Sequence, residues 1–398
     1  MTTAASRLAL ALSFSSLLSL AACGGDGKTP ASNAAAAADA ASAPVTASSA
    51  DAASAPASAS APVAASDTAS APGSASDTPV ATQPGVWASA KAGDILDVTL
   101  ADLRPTQAAL GYDQIYYKLG RYEADYTKKF DDFCADEGMS GLKKNTSTAT
   151  SKLTDATTYT CKVTDATQRD TSALNPVVIG PNGDTLYLTD GHHGSSTYYE
   201  VPDGGPTLHV HVIVKDNLSA TTGSTFWAEM QSHGYTRLKD ANGLAITASQ
   251  LPTALGLSHG MQNDAYRSLV YFTRDIGYSK PTPSTDFLEF YWADWLRTAF
   301  PLTPYDRTQL GTATTNPATD GTGYVNAVWN ASTAMVATTD GQVGGMTSAA
   351  LGKKAQINDG LAWNDSTSEF YSLMQPITAS KPGKIAYMLD YKTKHAIQ

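Results

Sequence analysis

The chain has 398 residues, of which 42% are hydrophobic and 16% are charged, and its formal net charge is −10. This acidic balance excludes a protein that coats DNA, because such proteins neutralise phosphates with clustered Lys and Arg. The composition also excludes a collagen and a coiled coil, and no apolar run after residue 22 approaches the roughly 18 residues of a membrane span.

Residues 1–22 have the pattern of an export signal peptide. Arg7 supplies positive charge, and the apolar run that follows is too short to span a bilayer. The run ends in Leu-Ala-Ala before Cys23 and Gly24, which resembles the bacterial lipobox, where the cysteine becomes the lipidated first residue. An ordinary secretory signal is the alternative. The lipobox interpretation predicts an exported lipoprotein anchored to the outer membrane through Cys23, facing the periplasm or the cell surface.

Residues 23–86 are rich in Ala, Ser, Pro, Thr and Asp, and 24–86 alone contains 23 alanines. Such a segment has too few large apolar side chains to offset its chain entropy, which predicts a disordered tether. The body that follows, 87–398, has a net charge of −7. Its two cysteines, Cys134 and Cys161, predict a disulfide in an oxidising compartment. A metal or redox site is the alternative, although CxxC spacing is absent.

The first part of the body alternates short apolar segments with polar ones. Residues 95–100 predict a strand, 103–107 a turn, and 108–126 a helix. The Thr-rich stretch 134–172 predicts a loop or hairpin insertion closed by the two cysteines. Two apolar runs then flank an Asn-Gly pair at 182–183, which is a strong hairpin signal.

A second set of elements follows the hairpin. Asp190-Gly191-His192-His193 opens a short helix that runs to about residue 199. Residues 208–215 alternate apolar and polar side chains, as a half-buried strand does. The remaining predicted helices cover 223–233, 264–276, 284–299, 322–338 and 366–375. The aromatic stripe of 284–299 predicts core packing rather than a ligand site.

Three sequence blocks stand in a fixed order: Leu103–Gln107 with Gly111 and Lys118, then Asp190–His193, then a third block at Asn263–Leu269, Gly277–Lys280 and Glu289–Arg297. Together they resemble the ParB/sulfiredoxin superfold, and more narrowly its ParB-like nuclease branch. The resemblance covers about 95–300. It implies an α+β fold with a small mixed sheet at 87–222 and a helical extension at 223–300, while 301–398 stays unassigned.

The resemblance also implies a phosphate cradle where the Asp-Gly-His-His turn meets a helix, since the first backbone N–H groups of a helix point at an anion. Gly191 would let the chain approach the ligand closely. Asp190, His192 and His193 would form the catalytic centre of phosphodiester hydrolysis, as acid, base or metal ligands. In the structural alternative, one histidine caps the helix and the other faces solvent.

Further candidate residues surround this turn. Arg104, Gln107, Lys118 and Arg267 are predicted ligand contacts, although a buried ion pair with Asp264 or Asp294 would explain Arg267 equally well. His209 and His211 share one strand face and form a His-x-His pair that could hold a metal ion. The alternative is that both histidines simply lie on the solvent-exposed face of an edge strand. The cofactor is unknown, with a divalent metal ion as the candidate.

Many superfold members place Arg directly after the histidine position, where it can fork onto phosphate oxygens. This chain has Gly194 there, which removes that anion clamp. Three functions stay open: a metal-assisted phosphodiesterase or nuclease, a non-catalytic module that binds a phosphate-bearing or acidic ligand, and a nucleotide-dependent, kinase-like enzyme. The expected partners are the membrane, through Cys23, and a nucleic acid or phosphate-bearing ligand; no protein partner can be inferred.

Overall fold

The computed structural model describes residues 85–311 and 316–398. The predicted signal peptide, the lipid-anchor residue Cys23 and nearly all of the tether lie outside the described residues. Within the described ranges, no helix is long and apolar enough to cross a bilayer. Export and lipid anchoring therefore stay predictions.

The described part of the chain has seven strands and nine α-helices. The strands are β1 (Ile95–Thr99), β2 (Leu103–Pro105), β3 (Ala109–Leu110), β4 (Asn175–Ile179), β5 (Leu186–Leu188), β6 (His209–Asn217) and β7 (Gln262–Asn263). The helices are α1 (Tyr112–Ala124), α2 (Tyr126–Asp136), α3 (His192–Glu200), α4 (Gly223–Ser232), α5 (Ala265–Thr273), α6 (Leu288–Ala299), α7 (Tyr324–Val336), α8 (Glu369–Leu373) and α9 (Lys384–Lys394). The predicted α+β class is confirmed.

Five strands form a mixed sheet in the order β1-β6-β4-β5-β2. The β1–β6 and β4–β5 pairs are antiparallel, whereas β4–β6 and β2–β5 are parallel. The predicted hairpin is confirmed, since a one-turn 3₁₀ helix over Pro181–Gly183 joins β4 to β5. The alternation in β6 is confirmed too, because Val210, Val212 and Val214 are buried.

The predicted turn at 103–107 is wrong at its start, because Leu103–Pro105 is an edge strand that pairs in parallel with β5. Pro105 is tolerated there because an edge strand does not need every backbone donor. The predicted helix at 108–126 is also shorter than expected: β3 precedes it, and it ends before a second helix, α2. Asp125 caps α2 by accepting from the Thr127 backbone N–H at 3.0 Å.

Cys134, near the end of α2, forms a disulfide with Cys161, with a Cα–Cα distance of 5.5 Å. This confirms the predicted pairing. Between α2 and β4 the described chain has two short 3₁₀ turns, at 166–168 and 171–173, and one antiparallel bridge between Leu142 and Cys161. The insertion is therefore a long loop, pinned to α2 by the disulfide.

The hydrophobic side chains form two main clusters. One lies between the sheet and helices α1–α3, and the other joins α5, α6 and α7 to α9. Trp292 and Leu296 of α6 are fully buried, which confirms the core role of the aromatic stripe, although α6 begins at Leu288 rather than at 284. The sequence analysis missed α9, which buries Ile385 and Met388 in the second cluster. Residues 301–398 thus share a core with the preceding helices.

The contact between α1 and α9 generates a stability prediction. A Cβ on Gly120 would overlap the Tyr387 carbonyl oxygen of α9, so Gly120→Ala should lower the free energy of unfolding by about 1–3 kcal/mol. The matched control is Gly194→Ala in α3, whose Cβ would meet only Asp136 Oδ2, at 3.7 Å. That change should raise the free energy of unfolding by up to about 1 kcal/mol. Urea titrations of both variants would check this, and a neutral Gly120→Ala would contradict the close packing.

Candidate active site

One cavity of about 510 Å³ opens where the sheet meets the helices. The end of β5 and the first turn of α3 form its floor, with α1 and the C-terminal end of α2 beside them. Side chains from α5, α6 and the segment between them complete the lining. Asp170, Ala173 and Asn175 also line it, so the cavity draws residues from five separate parts of the chain, which only the tertiary fold brings together.

Most of the predicted site residues line this cavity. They are Gln107, Lys118, Asp190, Gly191, His192, His193 and Arg267. Three others lie elsewhere: Arg104 donates a hydrogen bond to the Thr253 carbonyl oxygen, and His209 and His211 lie on β6. The fold thus gathers the residues of the three sequence blocks, but it does not bring Arg104 or the His-x-His pair to them.

Both histidines at the start of α3 are buried, with 2% and 8% of their surface exposed. His192 Nε2 accepts the Thr106 backbone N–H at 3.1 Å, and His193 Nε2 accepts the Gly111 backbone N–H at 2.9 Å. An imidazole nitrogen that accepts must be unprotonated. The two rings therefore tie the β2–α1 connection to α3. The alternative of one capping and one solvent-facing histidine is wrong.

Burial lowers the pKa of His192 to about 4, and the nearby Asp190 carboxylate and a hydrogen bond with Leu188 oppose this only in part. His192 is consequently neutral at neutral pH. A neutral ring whose Nε2 is already occupied by Thr106 is suited to positioning the backbone. The predicted acid–base role of the histidines stays a prediction.

The turn before α3 depends on Gly191, which has φ +84°. A Cβ at this position would overlap the Asn175 side chain, so any other residue would be strained as well as crowded. Asp190 Oδ1 accepts the Gly191 backbone N–H at 2.7 Å. The close approach that Gly191 permits is therefore to the start of β4.

The other side of the cavity holds a cationic cluster around one buried carboxylate. Glu289 Oε1 lies 2.8 Å from Arg274 and 3.2 Å from Lys280, and Glu289 Oε2 lies 3.9 Å from Arg267. Burial alone would raise the pKa of Glu289, but the three cations together hold it well below its ordinary value. Glu289 is thus a permanent anion that orders three positive side chains.

Arg267 is the buried member of this cluster, with 5% of its surface exposed. It lies in the first turn of α5, and the Asp264 side chain caps that turn by accepting the Arg267 backbone N–H at 3.0 Å. Its guanidinium donates to Gln114 Oε1 at 3.3 Å, while its Nε has no hydrogen-bond partner among the described residues. The alternative of a buried ion pair with Asp264 or Asp294 is wrong in its partner, because the carboxylate beside Arg267 is that of Glu289.

Those two aspartates serve other arginines. Asp264 Oδ2 pairs with Arg297 at 2.8 Å, and Asp294 Oδ1 pairs with Arg237 at 2.7 Å. Both pairs brace α5 and α6 against their neighbours. Arg267 pairs with Glu289 instead.

The sequence analysis missed several cavity residues, among them Gln114, Asp136, Arg274 and Glu289. Gln114 was detectable in principle, because it precedes the predicted Lys118 by four residues and so shares its helix face. Lys118 is buried, with 4% exposed, contrary to a typical surface lysine. No local sequence pattern identifies Asp136 as a cavity residue, because helix α2 itself was not predicted.

A dedicated metal site does not emerge from the described residues, which contain no group of three or more His, Cys, Asp or Glu side chains placed to hold an ion. His209 Nδ1 lies 2.8 Å from Asp97, and His211 Nδ1 lies 2.5 Å from Glu137. Each ring therefore has its own carboxylate partner. The donor set of the cavity does not fit a resident metal ion held by protein ligands alone.

Comparison with known proteins identifies the family to which the chain belongs. The family model described as "Putative ParB-like nuclease" matches residues 96–298, half of the chain, and the protein belongs to this family. Among solved structures, the crystal structure of protein Atu1540 from Agrobacterium tumefaciens is similar, with 22% identity and a TM-score of 0.40. That match covers 61% of this chain and 91% of the other. No curated protein sequence matches the chain.

The lowered pKa of His192 predicts acid sensitivity. The unfolded chain takes up the His192 proton near pH 6.5, whereas the folded chain resists it down to about 4, so stability is lost as the pH falls between these values. We expect protonation of His192 in the unfolded chain to lower the free energy of unfolding by about 2 kcal/mol between pH 7 and pH 5. His192→Gln, which keeps an acceptor for Thr106, should lose correspondingly less over this interval.

Urea titrations at the two pH values measure this difference. The control is Gln231→Ala, because Gln231 is an exposed, non-titrating side chain on α4 and its removal should leave the pH dependence unchanged. An equal loss in the wild type and in His192→Gln would contradict a neutral, buried His192.

Proposed function

We propose that the ParB-like domain binds a small phosphate-bearing ligand in this cavity. The observation that supports this best is the cationic cluster of Arg267, Arg274 and Lys280, which line the cavity around a single carboxylate, Glu289. Guanidinium groups recognise phosphate through several N–H donors at once.

Nearby groups support an anion at the same place. Lys118 and Gln107 line the cavity, and Gln114 is held by Arg267. Glu289 neutralises only part of the charge of the three cations that surround it. The cluster is therefore positive on balance and enclosed by protein, where electrostatic attraction is stronger than in water.

The size of the cavity favours a small ligand. About 510 Å³ lies within the range of small-molecule sites, about 300–1,000 Å³. A groove for a nucleic-acid duplex would instead need a stripe of Lys and Arg along an open surface. The net charge of −7 over 87–398 disfavours binding of a long polyanion, so a single phosphate group or a strand end is the better match.

A second candidate function is phosphodiester hydrolysis assisted by a divalent metal ion. The family description supports it, and so does the Asp190 carboxylate in the same cavity. Mg²⁺ is commonly held by one or two carboxylates together with the phosphates of the substrate. Asp190 would then be the protein ligand, with His192 and His193 positioning the turn that carries it.

The predicted signal peptide and the tether support a further proposal, which concerns where the protein is located. We propose that the protein is an exported lipoprotein anchored through Cys23 at the outer membrane. The lipobox-like segment and the low-complexity stretch after it support this, and the Cys134–Cys161 disulfide agrees with an oxidising compartment. Such an anchor would leave the binding domain in the periplasm or at the cell surface.

The role of Arg267 in anion binding can be measured directly. Arg267→Lys keeps the positive charge beside Glu289 but removes the planar, forked guanidinium, so the affinity for ethyl phosphate should fall about tenfold. The control is Arg104→Met, because Arg104 lies outside the cavity and should leave the affinity unchanged. Calorimetric titration of the full chain would show this, and equal affinities of wild type and Arg267→Lys would refute the assignment.

Hydrolysis has a separate test. Labelled single- and double-stranded DNA and RNA would be incubated with the full chain and Mg²⁺, Mn²⁺ or Zn²⁺, with and without a chelator. Asp190→Asn retains an oxygen acceptor for the Gly191 N–H but loses the charge, so cleavage should drop by at least about a hundredfold if Asp190 holds the metal. Absence of cleavage under every metal would reject the second candidate for these substrates.

A further inference from the structure

The segment between α5 and α6 forms part of the rim of the cavity. We call residues 280–287 the strap; it contributes Lys280 and the four consecutive residues 284–287 to the cavity lining. Ser284 and Asp286 are at the same time exposed to solvent. A residue that both lines a cavity and faces solvent lies at the boundary between the two. The strap therefore stands where a ligand would enter or leave.

The N-terminal end of the strap is fixed to the segment between α7 and α8. The Ser279 backbone N–H donates to the Gly352 carbonyl at 2.8 Å, and Tyr278 before it is fully buried. Pro281 and Pro283 follow within the strap, and in each of them the ring restricts φ. The strap is consequently stiff along its length, so a displacement would occur by rotation at its ends.

The C-terminal end of the strap has a strained backbone at the start of α6. Phe287 is the N-cap residue of α6 and has φ +55°. This left-handed conformation is unfavourable for a residue with a large side chain, and such residues cluster at ligand sites and switch regions. The Phe287 carbonyl accepts the Phe290 backbone N–H at 2.9 Å. A rotation about φ of Phe287 would turn the strap and leave this hydrogen bond and α6 in place.

Side-chain contacts on both sides hold the strap in its present position. Thr285 Oγ1 donates to the Ala350 carbonyl, between α7 and α8, at 2.8 Å. On the side of the sheet, Asp286 Oδ2 lies 3.6 Å from Lys215 Nζ of β6. This ion pair is too long for a hydrogen bond, and its side chains are 58% and 32% exposed. An exposed pair of this kind is weak, so the link between the strap and the sheet breaks easily.

The strap also begins at the cationic cluster. Lys280 Nζ lies 3.2 Å from Glu289 Oε1, and the Lys280 side chain is 38% exposed, whereas that of Arg267 is 6% exposed. Lys280 is therefore the member of the cluster that can most readily turn towards a bound anion. Ser284 Oγ makes a long contact of 3.4 Å with the Thr285 carbonyl, which a phosphate oxygen would replace favourably. A bound phosphate would thus add contacts that tie the strap to the cavity.

We propose that the strap is a movable cover of the phosphate-binding cavity, with Phe287 as its hinge and the Asp286–Lys215 ion pair as its latch. Without ligand the weak latch lets the strap open. A bound phosphate holds it closed through Lys280 and Ser284. This inference rests on the proposed phosphate-binding function and adds to it the way in which access to the site is controlled.

The test measures the position of the strap with two spin labels in the full chain. Thr282→Cys places one label on the strap, and Gln231→Cys places the other on α4; both positions are exposed. With Cys23→Ser these are the only free thiols, since Cys134 and Cys161 are bonded to each other. Electron paramagnetic resonance should show two label distances without ligand. Saturating ethyl phosphate should lower the open fraction about tenfold, the effect of one charge-assisted hydrogen bond.

Two variants break the latch from opposite sides. Asp286→Asn and Lys215→Met should each raise the ratio of open to closed strap about two- to fivefold, as expected for the loss of an exposed ion pair. A general effect of charge would act in opposite directions in the two variants, whereas loss of the latch acts in the same direction. The double variant should open no further than either single one. The control is Asp97→Asn, since Asp97 lies on β1 and is 57% exposed, like Asp286, but does not contact the strap.

The outcomes separate this inference from the function beneath it. A single label distance that neither latch variant changes overturns the movable strap, whether or not ethyl phosphate binds. The inference is overturned as well if calorimetry shows binding of ethyl phosphate but the open fraction does not fall. If the label distances respond to the latch variants but ethyl phosphate does not bind, the proposed phosphate-binding function fails while the movement of the strap stands.

Discussion

The site depends on two hydrogen bonds in which buried histidines accept backbone N–H groups. His192 and His193 reach from the first turn of α3 to Thr106 and Gly111, which lie on either side of β3. Through these bonds the edge strand β2 and the start of α1 are held against the end of β5. Because every cavity residue of α1 follows this connection, the position of Lys118 depends on these two hydrogen bonds.

The charged side chains of the cavity are arranged around these two hydrogen bonds. Glu289 holds three cations together on the α5–α6 side, and Arg267 is the buried member of that group. Asp136 and Asp190 lie on the side of α2 and α3. The cavity thus holds cationic and acidic side chains within one space.

Local sequence signals predicted the elements whose geometry is itself local. The Asn-Gly pair placed the β4–β5 hairpin, and the alternation of β6 identified its buried face, because turn chemistry and side-chain period act over a few residues. The predictions failed where contacts with residues distant in the sequence decide the secondary structure. Leu103–Pro105 becomes a strand only because β5 lies beside it, and α9 is ordered by packing on α1 near Gly120.

The sequence by itself determined the family, the α+β class, the disulfide partners and the importance of the Asp190–His193 turn. Each of these depends on residue identity and order along the chain. Only the tertiary structure decided that His192 and His193 hold backbone groups, that Arg104 lies outside the cavity, and that Glu289 and Asp136 lie within it. Hydrogen-bond partners, burial and the sign of a local field depend on distances between segments that are far apart in the sequence, which no local pattern records.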